Sequence, residues 1–305
     1  MNQSTHRTVV VAGLANTLIA ITKLGAGIAV GSAAMLAEAA HSVADTLNQG
    51  FLLASLHRSD RPADADHPFG YGKERYFWAL LAAVGIFVAG AGFSIFEGVL
   101  AIIQNGEIVS PIIAYVVLAV AFVAEGTSLA RAVYQVRKDA AGERRETLEH
   151  VQRTPDTTVK TALFEDTTAV VGLAIAAGGI TLHELTGSAI WDGGASILIG
   201  LLLIGLAYSL GRSNMHLLIG QAADPEERRV LVREIEATPG VDKVFELLTM
   251  RLGPEELIVA ATVAFSDDIS ADDAENLADD VDRRLRERVP VVRHVFLDPT
   301  QLTPT

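Results

Sequence analysis

Six stretches of the chain are long and apolar enough to cross a lipid bilayer, and nothing else restricts its fold as strongly. A helix needs about 20 mostly apolar residues to span the hydrocarbon. The stretches cover 8–30, 33–56, 76–103, 111–134, 161–182 and 190–210. Each is too long, and too rich in Ala, Leu and Gly, to read as a strand. The first is not a cleaved signal segment, because its apolar run exceeds the usual length of about 7–15 residues and five more follow. The expected fold class is an α-helical membrane protein with six transmembrane helices over 1–215 and a soluble C-terminal domain over 224–305.

The mean hydropathy of +0.34 decides little by itself; its distribution along the chain decides more. Residues 224–305 hold 19 of the 37 acidic residues and only 10 of the 24 basic ones, so the tail is an acidic soluble block. The net charge is −13 and no Lys/Arg-rich run occurs, which argues against a nucleic-acid or anionic-lipid ligand. With no cysteine, disulfides, thiolate metal sites and cysteine nucleophiles are excluded.

Orientation follows from basic residues in short loops. The 1→2 turn at Gly31 and Ser32 and the loops 104–110 and 183–189 contain no Lys or Arg. Arg58, Arg61, Lys73 and Arg75 lie in the 2→3 loop, and six further Lys or Arg lie between spans four and five. All these charges fall on one side, so both termini are expected in the cytoplasm. The segment 137–160 is expected to extend spans four and five into the cytoplasm. The tail reads helix 225–237, strand 243–251, strand 257–265, helix 271–288 and strand 291–297. Gly253-Pro254 turns between the first two strands, and the second, apolar on both faces, should be buried.

A charge at mid-bilayer costs about 2.5–3.5 kcal/mol on insertion scales. The spans nevertheless contain Lys23, Glu38, His41, Asp45, Glu97, Glu125, Glu165 and Asp166, together with Asn16, Asn48 and Gln49. His41 and Asp45 are four apart and share a helix face with Asn48. An imidazole and a carboxylate suit a borderline divalent metal, although a lone His-x-x-x-Asp is more often a packed hydrogen-bonding pair. Counting from Gly31, Asn16 is level with Asp45 and Lys23 with Glu38. The second pair reads as a structural ion pair. Asn16 reads either as a partner of Asp45 or as a helix–helix hydrogen bond. Glu165 and Asp166 point about 100° apart, so one of them faces a small site better than the other. Asp192, after Trp191, suits the start of its own helix. Gly85, Gly90, Gly92 and Gly98 suit close helix packing.

With these residues in place the chain resembles the cation diffusion facilitators, proton-coupled exporters of divalent metals. The resemblance rests on His41-Ser42-Val43-Ala44-Asp45, His67-Pro68-Phe69-Gly70-Tyr71-Gly72-Lys73 and Trp191-Asp192, and it covers nearly the whole chain. Asp45-Thr46-Leu47-Asn48-Gln49 and Phe164-Glu165-Asp166-Thr167-Thr168-Ala169 look most like the zinc-transporter-nine-like branch. The resemblance implies a metal site between spans two and five, with His41 and Asp45 as two ligands. The family's span-five pair, two ligands four residues apart, is broken here. Asp166 would pair with Ala162, and Glu165 with Ala169. The other acid, Asn48 or water would then complete the site. The implied cargo is Zn²⁺, or Mn²⁺ or Fe²⁺ if oxygen ligands dominate. A weaker loop site would use Asp64 and His67, with Tyr71 at the third position. The tail, with His294 as its one histidine, would be a ferredoxin-like homodimerisation module with little metal of its own.

The expected mechanism is alternating access, with protons displacing metal from shared lone pairs and His41 as the natural coupling group. The partners are then divalent metal ions, protons, the bilayer and a second copy of the chain, with no nucleic acid. The expected location is a bacterial inner membrane, since no transit segment is read. One rival is a zinc hydrolase with Glu165 as general base, which the lack of a His-Glu-x-x-His run disfavours. The other is a non-transporting metal sensor or scaffold.

Overall fold

The computed structural model describes residues 3–142, 157–266 and 271–300. It divides into two compact units, Met1–His57 with Tyr76–Asn214, and Arg58–Arg75 with Met215–Thr305.

Every expected span forms a helix. Helix α1 covers Gln3–Val30 and α2 covers Ala33–Ser59. The third span is α3 (Glu74–Gly85), a π-helical segment (Ile86–Gly92) and α4 (Phe93–Gln104) run together. Helices α5 (Pro111–Gly142), α6 (Thr157–Thr186) and α7 (Ile190–Ile219) complete the set. The expected extension of spans four and five is seen as far as 142 and again from 157, and the remainder of 137–160 lies outside the described residues. The shortest span, α2, has 27 residues and reaches about 40 Å at 1.5 Å per residue. The last four spans are apolar enough to cross a membrane by composition alone, while the apolar helix described in α1 is Asn16–Val30. Helix α2 is diluted by Glu38, His41, Asp45, Asn48 and Gln49.

Alanines line much of the interior of this unit beside Met35, Leu173, Ile199 and Leu203, and many other large residues face outward. Ala33, Ala34, Ala37, Ala39, Ala40 and Ala44 of α2 are buried, whereas Leu18, Ile28, Phe87, Phe96, Val123 and Leu198 are more than half exposed. Without a hydrophobic drive between helices in lipid, close packing and hydrogen bonds hold them together. The third span meets α7 along such a seam. A Cβ on Gly98 would lie 2.5 Å from the Gly193 carbonyl oxygen, and one on Gly193 would lie 2.6 Å from that of Gly98. Ser196 Oγ donates to the Ser94 carbonyl at 2.7 Å. The packing role expected for the span-three glycines holds at Gly98 and Gly90, where a Cβ would reach Leu203 at 3.2 Å and Ala44 at 3.7 Å.

The second unit has a three-stranded sheet, β1 (Val241–Gly253), β2 (Glu256–Phe265) and β3 (Val292–Thr300), in the order β1-β2-β3. The first pair is antiparallel and the second parallel. Helices α8 (Pro225–Glu236) and α9 (Ala271–Arg288) supply Leu231, Ile235, Leu277, Val281 and Leu285 to its core. Burial alternates along β2. Leu257, Val259, Ala261 and Val263 are covered, while Ile258, Ala260 and Thr262 are only half-buried. The expected burial of both faces is therefore corrected: a two-layer arrangement covers one face of its sheet. The loop between spans two and three belongs to this unit. Gly72 abuts the Leu252 carbonyl so closely that a Cβ would sit 2.6 Å from it, and Phe69 packs edge-on against His294 at 5.2 Å.

Candidate metal centre

Helix α2 places Glu38, His41, Asp45 and Asn48 at spacings of three, four and three, which is one face of an α-helix. All four make contacts with other helices or with each other. Lys23 Nζ of α1 donates to Glu38 Oε2 at 3.0 Å, with the two side chains 1% and 0% exposed, so the ion pair expected from the level count is present. His41 Nε2 lies 3.5 Å from Asp45 Oδ2, with the imidazole fully buried. Asn48 Nδ2 donates to Glu165 Oε1 of α6 at 2.6 Å. Asp166 is turned away and accepts from Ser128 Oγ of α5 at 2.7 Å. Of the two adjacent acids, Glu165 is the one joined to α2.

Helices α2 and α6 meet at two levels. Asn48 meets Glu165, and Glu38 meets Gly172, where any side chain would collide with Glu38 Oε1. Interpolating between these contacts puts Thr168 and Ala169 opposite the His41–Asp45 turn. Ala169 is buried and carries only a methyl group there. Glu165, one turn further along α6, is the nearest acid on that face. It lies within Coulombic reach of Asp45, Asp166 and Glu125. The π-helical segment of the third span lies against Ala44 through Gly90, beside Asp45. Among the described residues no hydrogen bond joins Asn16 to Asp45, and no three His, Asp or Glu side chains converge on one point.

Among the described residues, three buried atoms here have no hydrogen-bond partner: His41 Nε2, Asp45 Oδ1 and Glu38 Oε1. Buried polar atoms are almost always paired, and 3.5 Å is too long for a good bond between His41 and Asp45. An imidazole nitrogen and a carboxylate oxygen are the kinds of atom that can ligate a divalent cation.

Asp64 and His67 form a tight turn in the 2→3 loop. Asp64 Oδ1 accepts the His67 amide at 2.8 Å and the Asp66 amide at 3.1 Å, and Tyr71 Oη donates to Oδ2 at 2.7 Å. The Tyr71 hydroxyl, followed by the His67 amide, holds the Asp64 carboxyl below the usual carboxylate range. Both oxygens are thus engaged within the loop.

The sequence reading placed Asp192 at the start of its own helix. Asp192 does lie in the first turn of its own helix, and its carboxylate is aimed at the N-terminus of α2, a contact between distant residues with no local signal. It also gave no sign that Ser128 would take up Asp166.

Residues 9–219 match the cation efflux transmembrane domain, and residues 223–298 match the cation efflux protein cytoplasmic domain. The chain belongs to the cation efflux family. This cation efflux protein is 34% identical over 259 residues to the proton-coupled zinc antiporter SLC30A9, mitochondrial, of Xenopus laevis, covering 85% of this chain and 46% of that protein. It is 36% identical over 265 residues to metal tolerance protein C4 of Arabidopsis thaliana, covering 87% of this chain and 58% of the relative. The cation-efflux pump FieF of Cronobacter sakazakii is 28% identical over 315 residues, covering 100% of this chain and 97% of the pump. The chain thus spans about half the length of the first two relatives.

Proposed function

We propose that this cation efflux protein exports a divalent cation, zinc, in exchange for protons, and that the ion stops between α2 and α6. The observation that carries this reading is the pair of buried atoms without partners, His41 Nε2 and Asp45 Oδ1, one helical turn apart. Glu165 completes the ligand set when it exchanges its bond to Asn48 for the ion, and Asn48 then steadies the far side of the carboxylate. Asp166 and Asn16 stand further out, and Asp64 and His67 remain the secondary candidates in the loop. Zinc is favoured by the zinc antiporter among the relatives. One nitrogen and two or three oxygen donors also accept Mn²⁺ or Fe²⁺.

Protons and metal compete for the same lone pairs, so a proton arriving from the far side displaces the ion without a separate coupling device. The chain then works as a carrier and not as an enzyme. The tail joins two copies, and both termini lie in the cytoplasm of a bacterial cell with the helices in its inner membrane.

The test is metal uptake into inside-out vesicles carrying an imposed pH gradient, assayed with Zn²⁺, Mn²⁺ and Fe²⁺ separately. His41→Ala and Asp45→Ala each abolish uptake of the transported ion. Unchanged flux in either variant overturns the site, and flux of Mn²⁺ or Fe²⁺ in place of Zn²⁺ overturns the assigned cargo.

A further inference from the structure

The carboxylate of Asp192 is 2% exposed and takes no part in the candidate metal centre. Among the described residues its hydrogen-bond partners belong to the start of α2. Oδ1 accepts the Ser32 hydroxyl at 2.6 Å and the Ala34 amide at 3.3 Å, and Oδ2 accepts the Ala33 amide at 2.6 Å. Ser32 Oγ in turn accepts the Met35 amide at 3.2 Å. The first amides of a helix have no partner within it, and an acid placed there meets both those donors and the positive end of the helix dipole. The acid comes here from α7, about 160 residues along the chain. On the other side the turn is held by the Val109 amide, which donates to the Val30 carbonyl at 2.9 Å. Gly31 permits the reversal at a φ of +72°.

We infer that Asp192 is a positioning residue for the transport site: by clamping the first turn of α2 to α7 it sets the depth and rotation at which His41 and Asp45 are presented. The inference rests on the reading of those two residues as metal ligands. From Ala33 to His41 is eight residues of unbroken helix, about 12 Å, so a shift or rotation of the first turn is carried to the ligands. Helix α7 is a firm anchor, because Gly193, Ser196 and Gly200 seat it against the third span. Asp192 does not touch the ion, and it acts only through α2.

The experiment uses the full chain in detergent with Co²⁺ as the probe, whose visible bands report ligand geometry. It also uses spin labels at Leu47 and Phe164, which are 44% and 42% exposed on α2 and α6; the natural absence of cysteine makes the labelling specific. In Asp192→Ala, Co²⁺ binding weakens about tenfold, the visible bands change, and the label-to-label distance shifts or broadens. Asp192→Asn keeps one accepting oxygen and loses less, and Ser32→Ala loses least. The inference is overturned if Asp192→Ala lowers only the unfolding midpoint and leaves the bands, the affinity and the distance as in the parent chain. If the distance changes while Co²⁺ binding is indifferent to His41→Ala, the clamp on α2 stands and the metal reading falls.

Discussion

Lys23 and Glu38 show what a buried charge demands. Each is almost wholly covered, and each has the other as its counter-ion at 3.0 Å. Removing one partner leaves an uncompensated charge and costs about 3–5 kcal/mol, whereas replacing both with apolar residues is far milder. Lys23→Met is expected to lower the thermal unfolding midpoint sharply, and Lys23→Met with Glu38→Leu to restore most of it. Gly172 belongs to the same cluster, and Gly172→Ala would push Glu38 aside at a cost of about 1–3 kcal/mol from overpacking. Outside the membrane, Tyr71 and Asp64 form a titrating pair. The Tyr71 hydroxyl depresses the Asp64 value, so the turn's contribution is present above the ordinary carboxylate range and is lost as pH falls through the lowered value. Tyr71→Phe should move the Asp64 titration upward toward its ordinary position, read by carbon NMR of the labelled carboxyl group. No movement would mean that the hydroxyl is not the cause.

At the scale of elements, the seam between the third span and α7 is among the closest packing in the first unit. Gly98→Ala would force a methyl group onto the Gly193 carbonyl, 2.5 Å away. A loss of about 1–3 kcal/mol is expected, visible as a lower unfolding midpoint, with a similar loss from Gly193→Ala. The six helices and the tail's element order were legible in the sequence because length, apolarity and turn residues are local properties. The strand bounds of the tail, for instance, fall within a few residues of those read from Lys243–Arg251 and its neighbours. Depth was legible too, since equal rise on either side of Gly31 brings Lys23 to Glu38. Azimuth was not. Whether Glu165 or Asp166 faces α2 depends on how α6 is rotated, and that is settled by Asn48, Ser128 and Gly172 together. The aim of Asp192 was hidden for the same reason, because a side chain placed by tertiary packing leaves no mark on its neighbours in sequence.

For the molecule as a whole, the acidic tail is held by more than its apolar core. Glu227 Oε2 accepts the Asp224 amide at 3.0 Å as part of a capping box and Arg251 Nη2 at 2.6 Å, with Arg251 only 3% exposed. Glu227→Ala removes the cap and strands the guanidinium, so faster amide exchange is expected through α8 and β1 of the intact chain while the spans stay protected. The two units share the chain unevenly. Within the first unit, Asp192 near the start of α7 is bonded to Ser32 and Ala33 at the start of α2. Neither helix can slide past the other at that end without first breaking the carboxylate's bonds to Ser32, Ala33 and Ala34.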